Sequence, residues 1–106
     1  MKLGVDIVEI DRIKNIITDS VEFANKILHS DEMAPWNLES ICGKIAAKEA
    51  IIKTGFISPG EWKKIKISST RSGQPQVTDE QGNSIAKLQV SISHTQNLAI
   101  AIAIYE

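Results

Sequence analysis

Apolar residues recur along this 106-residue chain with two different periods, which divide it into a mainly helical first half and a stranded second half. A short β-branched run predicts an opening strand over Leu3–Val8. Isoleucines at helical spacing then predict a helix from Glu9 to Thr18, and a second amphipathic run predicts another over Val21–Leu28. The first half of the chain should therefore supply one strand and helices whose apolar stripes face a common core.

The longest predicted helix runs from about Leu38 to Thr54. Asn37 is a suitable N-cap because its side-chain oxygen can accept a backbone N–H of the first turn. Gly55 suits the left-handed position that ends many helices. Beyond its first turn the helix carries one carboxylate and three ammonium groups, on Lys44, Lys48, Glu49 and Lys53.

Beyond Trp62 the apolar period changes to two, which is typical of half-buried strands. Alternation predicts strands over Trp62–Ser69, from Gln76, over Leu88–Ser93 and over Leu98–Tyr105. The last of these is apolar on both faces, so we expect it at the centre of the sheet. Helices that precede antiparallel strands predict an α+β fold, with the helices packed on a small antiparallel sheet.

Length, net charge and cysteine content exclude several classes of protein. The chain has the size of a single domain, which we place at residues 1–106. The formal net charge of −1 argues against a nucleic-acid surface, including one built on Lys63, Lys64 and Lys66. Cys42 is the only cysteine, which excludes an internal disulfide and favours a reducing compartment. Because the first residues lack the long apolar run of a signal peptide and no apolar run is long enough to span a membrane, we expect a cytosolic protein.

Two carboxylates are candidates for chemistry. Asp6 interrupts the apolar opening strand, where an unpaired carboxylate would be costly to bury. Glu49 and Lys53 are four residues apart and share a helix face. Carboxylates can hold Mg²⁺ and lysines can neutralise phosphate oxygens, so the pattern is compatible with a phosphate-handling site. Taken alone, it is also typical of a solvated helix face with one Glu–Lys pair.

Three segments occur together in one order along the chain. They are GVDIVEIDRI at 4–13, KIAAKEAIIK at 44–53 and SISHT at 91–95, the last followed by an alanine-rich strand. In this order they resemble the holo-acyl-carrier-protein synthases, the small 4′-phosphopantetheinyl transferases. The segment SGQP at 72–75 is similar to that family's Gly-x-Pro hairpin, so the resemblance covers nearly the whole chain.

The resemblance implies an activity and a set of site residues. The reaction would move the phosphopantetheine arm of coenzyme A to a serine of an apo acyl carrier protein, with Mg²⁺ required and adenosine 3′,5′-bisphosphate released. Asp6 and Glu49 match the metal ligands and, with Lys53, the catalytic residues; Arg12 matches a residue that contacts the carrier protein. The general base stays open between a metal-bound water, Glu49 and Asp6. Coenzyme A contacts are implied for Lys44, Lys48, Lys53, His94 and Thr95.

The chain also departs from the family pattern. The stretch from Pro75 to Ser91 is short, and a turn over Asp79–Asn83 stands where the family usually has another small-residue helix. Lys44 stands where the family commonly has arginine, so the charge is kept but the bidentate fork is lost. The alternative to a transferase is a non-catalytic module of the same fold that binds a carrier protein.

Self-association is a further expectation. A small domain buries little surface alone, and the last strand has two apolar faces to cover. We expect alanines 99, 101 and 103 to face a neighbouring sheet and the alternating isoleucines to fill the protomer core. The family resemblance implies a homotrimer with active sites between neighbouring copies.

Overall fold

The computed structural model describes residues 1–106 and has the α+β architecture that the sequence predicts. Three α-helices and five strands are joined by loops that contain two short 3₁₀ turns. The elements in chain order are β1 (Lys2–Glu9), α1 (Ile10–Asp19), α2 (Glu22–Ile27), a 3₁₀ turn (Ser30–Glu32), α3 (Leu38–Thr54), a 3₁₀ turn (Trp62–Lys64), β2 (Ile65–Ser69), β3 (Pro75–Asp79), β4 (Leu88–His94) and β5 (Leu98–Tyr105).

The main sheet has three antiparallel strands in the order β1-β5-β4, so β5 is central as predicted. Its register places Asp6 of β1 beside Ala101 of β5, and Ala101 beside Ile92 of β4. Strands β2 and β3 form a separate antiparallel pair. One buried apolar cluster joins the helices to both sheets, and α3 lies against β1 and β5.

Helix α3 begins and ends where the sequence predicts. The side chain of Asn37 accepts a hydrogen bond from the backbone N–H of Ser40 at 3.0 Å. Gly55 ends the helix with φ of 88°, a left-handed conformation that a residue with a Cβ adopts only with strain. No helix of the structure has both the length and the apolar character needed to cross a membrane.

The sheet approaches α3 so closely that only small residues fit between them. A Cβ added to Gly4 would lie 1.9 Å from the carbonyl oxygen of Ala50. The prediction for the faces of β5 was therefore wrong. Ala99, Ala101 and Ala103 are at most 1% exposed because they face α3, whereas Ile100 and Ile102 are 41% and 43% exposed on the opposite face.

Two loops differ in how well the sequence predicts them. Residues Trp62–Lys64 form a 3₁₀ turn and not the start of a strand, because the backbone N–H of Lys64 turns back to the carbonyl of Glu61 at 3.1 Å. The turn over Asp79–Asn83 is confirmed, with the Asp79 carboxylate accepting the backbone N–H groups of Gln81 and Asn83 at 2.9 Å each. These hydrogen bonds hold the pKa of Asp79 below its ordinary value, the bond from Asn83 most of all.

Candidate active site

Asp6 and Lys53 meet where β1 crosses α3. By strand alternation Asp6 lies on the same face of β1 as Gly4, the residue that packs on α3. Lys53 donates to the backbone carbonyl of Val5 at 2.9 Å, and its Nζ lies 3.3 Å from Asp6 Oδ1. The carboxylate that interrupts the opening strand is thus paired with a cation, on the face of β1 where Gly4 and Val8 are buried.

Glu49 lies one helical turn before Lys53 and is half-buried. Its Oε1 accepts a hydrogen bond from the indole Nε1 of Trp62 at 3.1 Å. This contact was not predicted, because the alternating pattern from Trp62 onward indicated a strand. The only available signal was an isolated tryptophan among polar residues, at 13 positions from Glu49.

The residues Asp6, Glu49 and Lys53, here called the carboxylate site, fit the requirements of Mg²⁺. One oxygen of each carboxylate is engaged by the protein, Oδ1 by Lys53 and Oε1 by Trp62, which leaves Oδ2 and Oε2 without a protein hydrogen bond. The protein brings no three His, Cys, Asp or Glu side chains together as a metal cage. Mg²⁺ is commonly held by one or two carboxylates with substrate phosphates and waters, so the two available oxygens suit it.

The structure does not support a coenzyme contact for Lys48. Its side chain is 0% exposed, and its Nζ lies 2.7 Å from Glu32 Oε1 and 2.8 Å from the carbonyl oxygen of Ile27. Burial lowers the pKa of Lys48, while the carboxylate of Glu32 opposes that shift. Although Lys48 precedes Glu49, the two side chains leave α3 in different directions, and Lys48 faces the core.

Glu32, which lies outside every predicted site, is the ionic partner of Lys48. Besides Lys48, its carboxylate accepts the backbone N–H of His29 at 2.7 Å and that of Ile67 at 2.8 Å. The backbone carbonyl of Glu32 accepts from Lys44 Nζ at 2.7 Å. This Glu32 network ties α2, the first 3₁₀ turn and β2 to α3, and it holds the half-buried Lys44 by its ammonium group.

A cavity of about 670 Å³ opens beside the first half of α3. Its lining includes Lys44 and His94, two of the predicted coenzyme contacts, together with Glu39. Glu39 Oε2 lies 3.4 Å from His94 Nδ1. No residue of the carboxylate site lines this His94 cavity, so one chain holds the predicted site residues in two separate groups.

Thr95 and Arg12 have different environments. Thr95 Oγ1 accepts the backbone N–H groups of Asn97 and Leu98 at 3.2 and 3.1 Å, so it shapes the β4–β5 hairpin next to His94.

Arg12 is exposed on α1 and lines a mainly apolar groove of about 440 Å³. A charge beside an apolar groove is suited to contact with a protein partner.

Comparisons with known proteins agree on one family. The model of the 4′-phosphopantetheinyl transferase superfamily matches residues 2–103. The chain is 38% identical over 120 residues to the holo-[acyl-carrier-protein] synthase of Chlorobium chlorochromatii, covering 100% of both proteins. It is 35% identical over 118 residues to that of Pelodictyon phaeoclathratiforme, covering 100% of this chain and 98% of the relative.

Solved structures give the same result for the fold. The crystal structure of Helicobacter pylori holo-[acyl-carrier-protein] synthase in complex with coenzyme A superposes with a TM-score of 0.82 at 29% identity, covering 98% of this chain and 99% of that one. The Bacillus anthracis synthase in complex with CoA (3′,5′-ADP) superposes with a TM-score of 0.81 at 26% identity, covering 99% and 95%.

Proposed function

Because the chain belongs to the 4′-phosphopantetheinyl transferase superfamily, we propose that it moves the 4′-phosphopantetheine arm of coenzyme A to a serine of an apo acyl carrier protein in a Mg²⁺-dependent reaction. The relatives that it matches over nearly their whole length are holo-[acyl-carrier-protein] synthases, so the chain is an enzyme of this transferase class. The cytosolic location stays a prediction.

The observation that carries the proposal is the carboxylate site, in which Asp6 pairs with Lys53 and Glu49 lies one helical turn before that lysine on α3. In the reaction, the serine oxygen forms a bond to the phosphorus that carries pantetheine. The bond from that phosphorus to the bridging oxygen breaks, and adenosine 3′,5′-bisphosphate leaves with the electron pair. The serine proton passes to a base, for which the available oxygens of Asp6 and Glu49 and the solvent are the candidates.

Asp6 and Glu49 would hold the metal through the oxygens that the protein leaves available. When bound, Mg²⁺ supplies positive charge that stabilises the negative charge of the pyrophosphate oxygens. Lys53 contributes an ammonium group whose position is fixed by Asp6 and by the Val5 carbonyl. Preorganised charge of this kind lowers the barrier because it need not reorient during the reaction.

The His94 cavity is the proposed site for the 3′-phosphate side of coenzyme A. Its volume is within the range of ligand pockets, roughly 300–1,000 Å³. Lys44 and His94 line it and can face phosphate oxygens, while Thr95 fixes the hairpin that carries His94. Arg12 and its apolar groove are the proposed contact for the carrier protein.

We propose a homotrimer because one chain does not unite its two groups of site residues. The face of the main sheet that points away from α3 exposes five large apolar side chains, namely Leu3, Val5, Ile7, Ile100 and Ile102. Association through this face would cover them, and would allow the His94 cavity of one copy to lie near the carboxylate site of the next.

The test is incubation of the protein with coenzyme A, Mg²⁺ and an apo acyl carrier protein, followed by mass spectrometry of the carrier. The carrier should gain one phosphopantetheine group. Asp6→Asn and Glu49→Gln should each lower the rate roughly 100-fold or more, as loss of transition-state charge stabilisation does, with an unchanged circular dichroism spectrum. Glu80→Gln, an exposed carboxylate in a distant turn, is the matched control.

The outcomes separate the two candidate functions. A carrier that binds the wild-type protein but never gains the group would contradict transfer and favour the non-catalytic module. Full transfer in the presence of a chelator would contradict the metal dependence.

A further inference from the structure

We propose that Trp62 is a positioning residue, whose indole N–H holds one carboxylate oxygen of Glu49 so that the second oxygen stays available to Mg²⁺. This inference rests on the proposed function of the carboxylate site. The single hydrogen bond of the Trp62 side chain goes to Glu49 and none goes to Asp6 or Lys53, so Trp62 would act through Glu49.

The hydrogen bond joins the second 3₁₀ turn to α3. Trp62 Nε1 lies 3.1 Å from Glu49 Oε1, and both side chains are half-buried. An indole has one donor and no acceptor, so this bond uses its whole hydrogen-bonding capacity. A partly buried indole N–H generally finds such a partner, and here the partner is the predicted metal ligand.

The loop that carries Trp62 is held in place by its own hydrogen bonds. The backbone N–H of Ser58 donates to Glu61 Oε1 at 2.8 Å, and that of Lys64 donates to the carbonyl of Glu61 at 3.1 Å. Glu61 and Lys64 also form an ion pair. Trp62 therefore starts from a fixed backbone, which is what a residue needs in order to orient another side chain.

The two carboxylates of the site are oriented by different chemistry. Asp6 is held by the cation of Lys53, which offsets part of its negative charge. Glu49 is held by a neutral indole, so its orientation is fixed without the charge of a cation beside it. Glu49 should therefore be the stronger of the two ligands, and its orientation should matter most for metal affinity. Outer residues that orient metal ligands typically contribute roughly 10–100-fold in affinity.

The contact could instead be only a packing contact, since the Trp62 ring also packs against the core cluster. Trp62→Phe separates the two roles, because phenylalanine keeps an aromatic ring and lacks the N–H. The chain supplies a matched control in Trp36, its only other tryptophan, which is 57% exposed and donates no side-chain hydrogen bond.

The experiment is a Mg²⁺ titration of transfer activity at saturating coenzyme A and apo carrier protein. Trp62→Phe should raise the Mg²⁺ concentration for half-maximal rate roughly tenfold and recover most of its turnover at saturating Mg²⁺. Trp36→Phe should keep the wild-type curve. A purely structural role would lower turnover at every Mg²⁺ concentration without moving the midpoint.

A second measurement leaves Trp62 in place. In the Trp36→Phe variant, Trp62 is the only tryptophan. Its fluorescence emission should change when Mg²⁺ is added in the presence of coenzyme A. Adding Glu49→Gln to that variant should abolish the change, because glutamine still accepts the indole N–H but brings no charge to the metal.

An unmoved Mg²⁺ midpoint in a folded Trp62→Phe variant, or a fluorescence change that survives Glu49→Gln, overturns this inference and leaves the proposed function intact. If Trp62→Phe does not fold, the fluorescence titration still tests whether Mg²⁺ at Glu49 is coupled to the Trp62 indole, and an emission that does not respond to Mg²⁺ overturns this inference. A wild-type protein that transfers no group overturns the proposed function, and this inference with it.

Discussion

At the scale of single residues, Glu39 is unexpected in a cavity proposed to receive phosphate. Its carboxylate lies 3.4 Å from His94 Nδ1 and would repel an anion that approaches the same imidazole. The two side chains are 48% and 51% exposed, so solvent screens the contact and it can separate at little cost. Glu39 should therefore weaken binding of a ligand with a 3′-phosphate without preventing it.

Glu39→Gln is expected to tighten binding of coenzyme A about two- to fivefold, since an exposed charge pair contributes at most about 1 kcal/mol. Binding of dephospho-coenzyme A, which lacks the 3′-phosphate, should not change. Calorimetric titration of both ligands measures the difference, with Glu80→Gln as the control. An equal gain in affinity for coenzyme A and dephospho-coenzyme A would mean that the 3′-phosphate does not bind beside Glu39.

At the scale of elements, the contact of β1 with α3 decides whether the carboxylate site forms. Gly4 allows the strand to lie against the backbone of Ala50, and Asp6 follows on the same face, within reach of Lys53. The spacing between strand and helix therefore sets the distance between the carboxylates. Packing and chemistry depend on the same glycine.

Gly4→Ala should destabilise the protein by about 3 kcal/mol or more, because its Cβ would meet a backbone oxygen that cannot move aside. Gly43→Ala is the matched control. Its Cβ would meet a methyl group of Ile92 at 2.9 Å, which a side-chain rotation can relieve, and alanine is favoured over glycine within a helix by about 1 kcal/mol. Urea unfolding should show a much smaller loss for Gly43→Ala; equal losses would refute the role given to the Gly4 contact.

The Glu32 network is the second connection between elements. Lys48→Met should cost about 3–5 kcal/mol of unfolding free energy, because it leaves the Glu32 carboxylate buried without its cation. Adding Glu32→Gln removes that charge but leaves one of the two backbone N–H groups that Glu32 accepts without an acceptor, so it should restore only part of the loss. Lys66→Met breaks the ion pair with exposed Asp31 and should cost at most about 1 kcal/mol.

Chemical denaturation of the four proteins measures these differences. A loss for Lys48→Met no larger than for Lys66→Met would mean that the buried pair contributes no more than a surface pair. The hydrogen bond from Lys66 lowers the pKa of Asp31, so Lys66→Met should raise that pKa toward its ordinary value.

At the scale of the whole molecule, one sheet face is left uncovered by the chain itself. The register pairs Val5 with Ile102 and Ile7 with Ile100, so these exposed side chains form a continuous apolar patch with Leu3. Contiguous apolar surface of this kind commonly marks a protein contact. The patch lies on β1 and β5, the strands that also carry Asp6 and border His94, so association and activity should be linked.

The wild-type protein should sediment as a trimer at micromolar concentration, and Ile102→Asp should sediment as a monomer with strongly reduced transfer. Aspartate places a charge in the patch, and burying it without a partner would be costly. Val21→Asp is the control, because Val21 is 56% exposed on a different surface, at the start of α2. A monomeric wild-type protein with full activity would remove the shared active site.

The sequence alone determined the elements whose signals are local. Asn37 and Gly55 fix the ends of α3 through contacts within a few residues, and alternation identified β4 and β5. The motif resemblance identified the family, which the comparisons confirm. Residue type and short spacing were sufficient for these features, because caps, turns and strand alternation depend on neighbours in the chain.

Only the tertiary structure decided the features that depend on distant contacts. Lys48 is 16 residues from Glu32 and was predicted to face a ligand, yet the pair is buried. In β5 both faces are apolar, so the pattern could not say which packs on α3; the close approach of the helix selected alanine, and isoleucine was left outside. Trp62 meets Glu49 only because a 3₁₀ turn returns the chain to α3. In each case the outcome depends on available space and on a partner from another element, and neither is written in the local sequence.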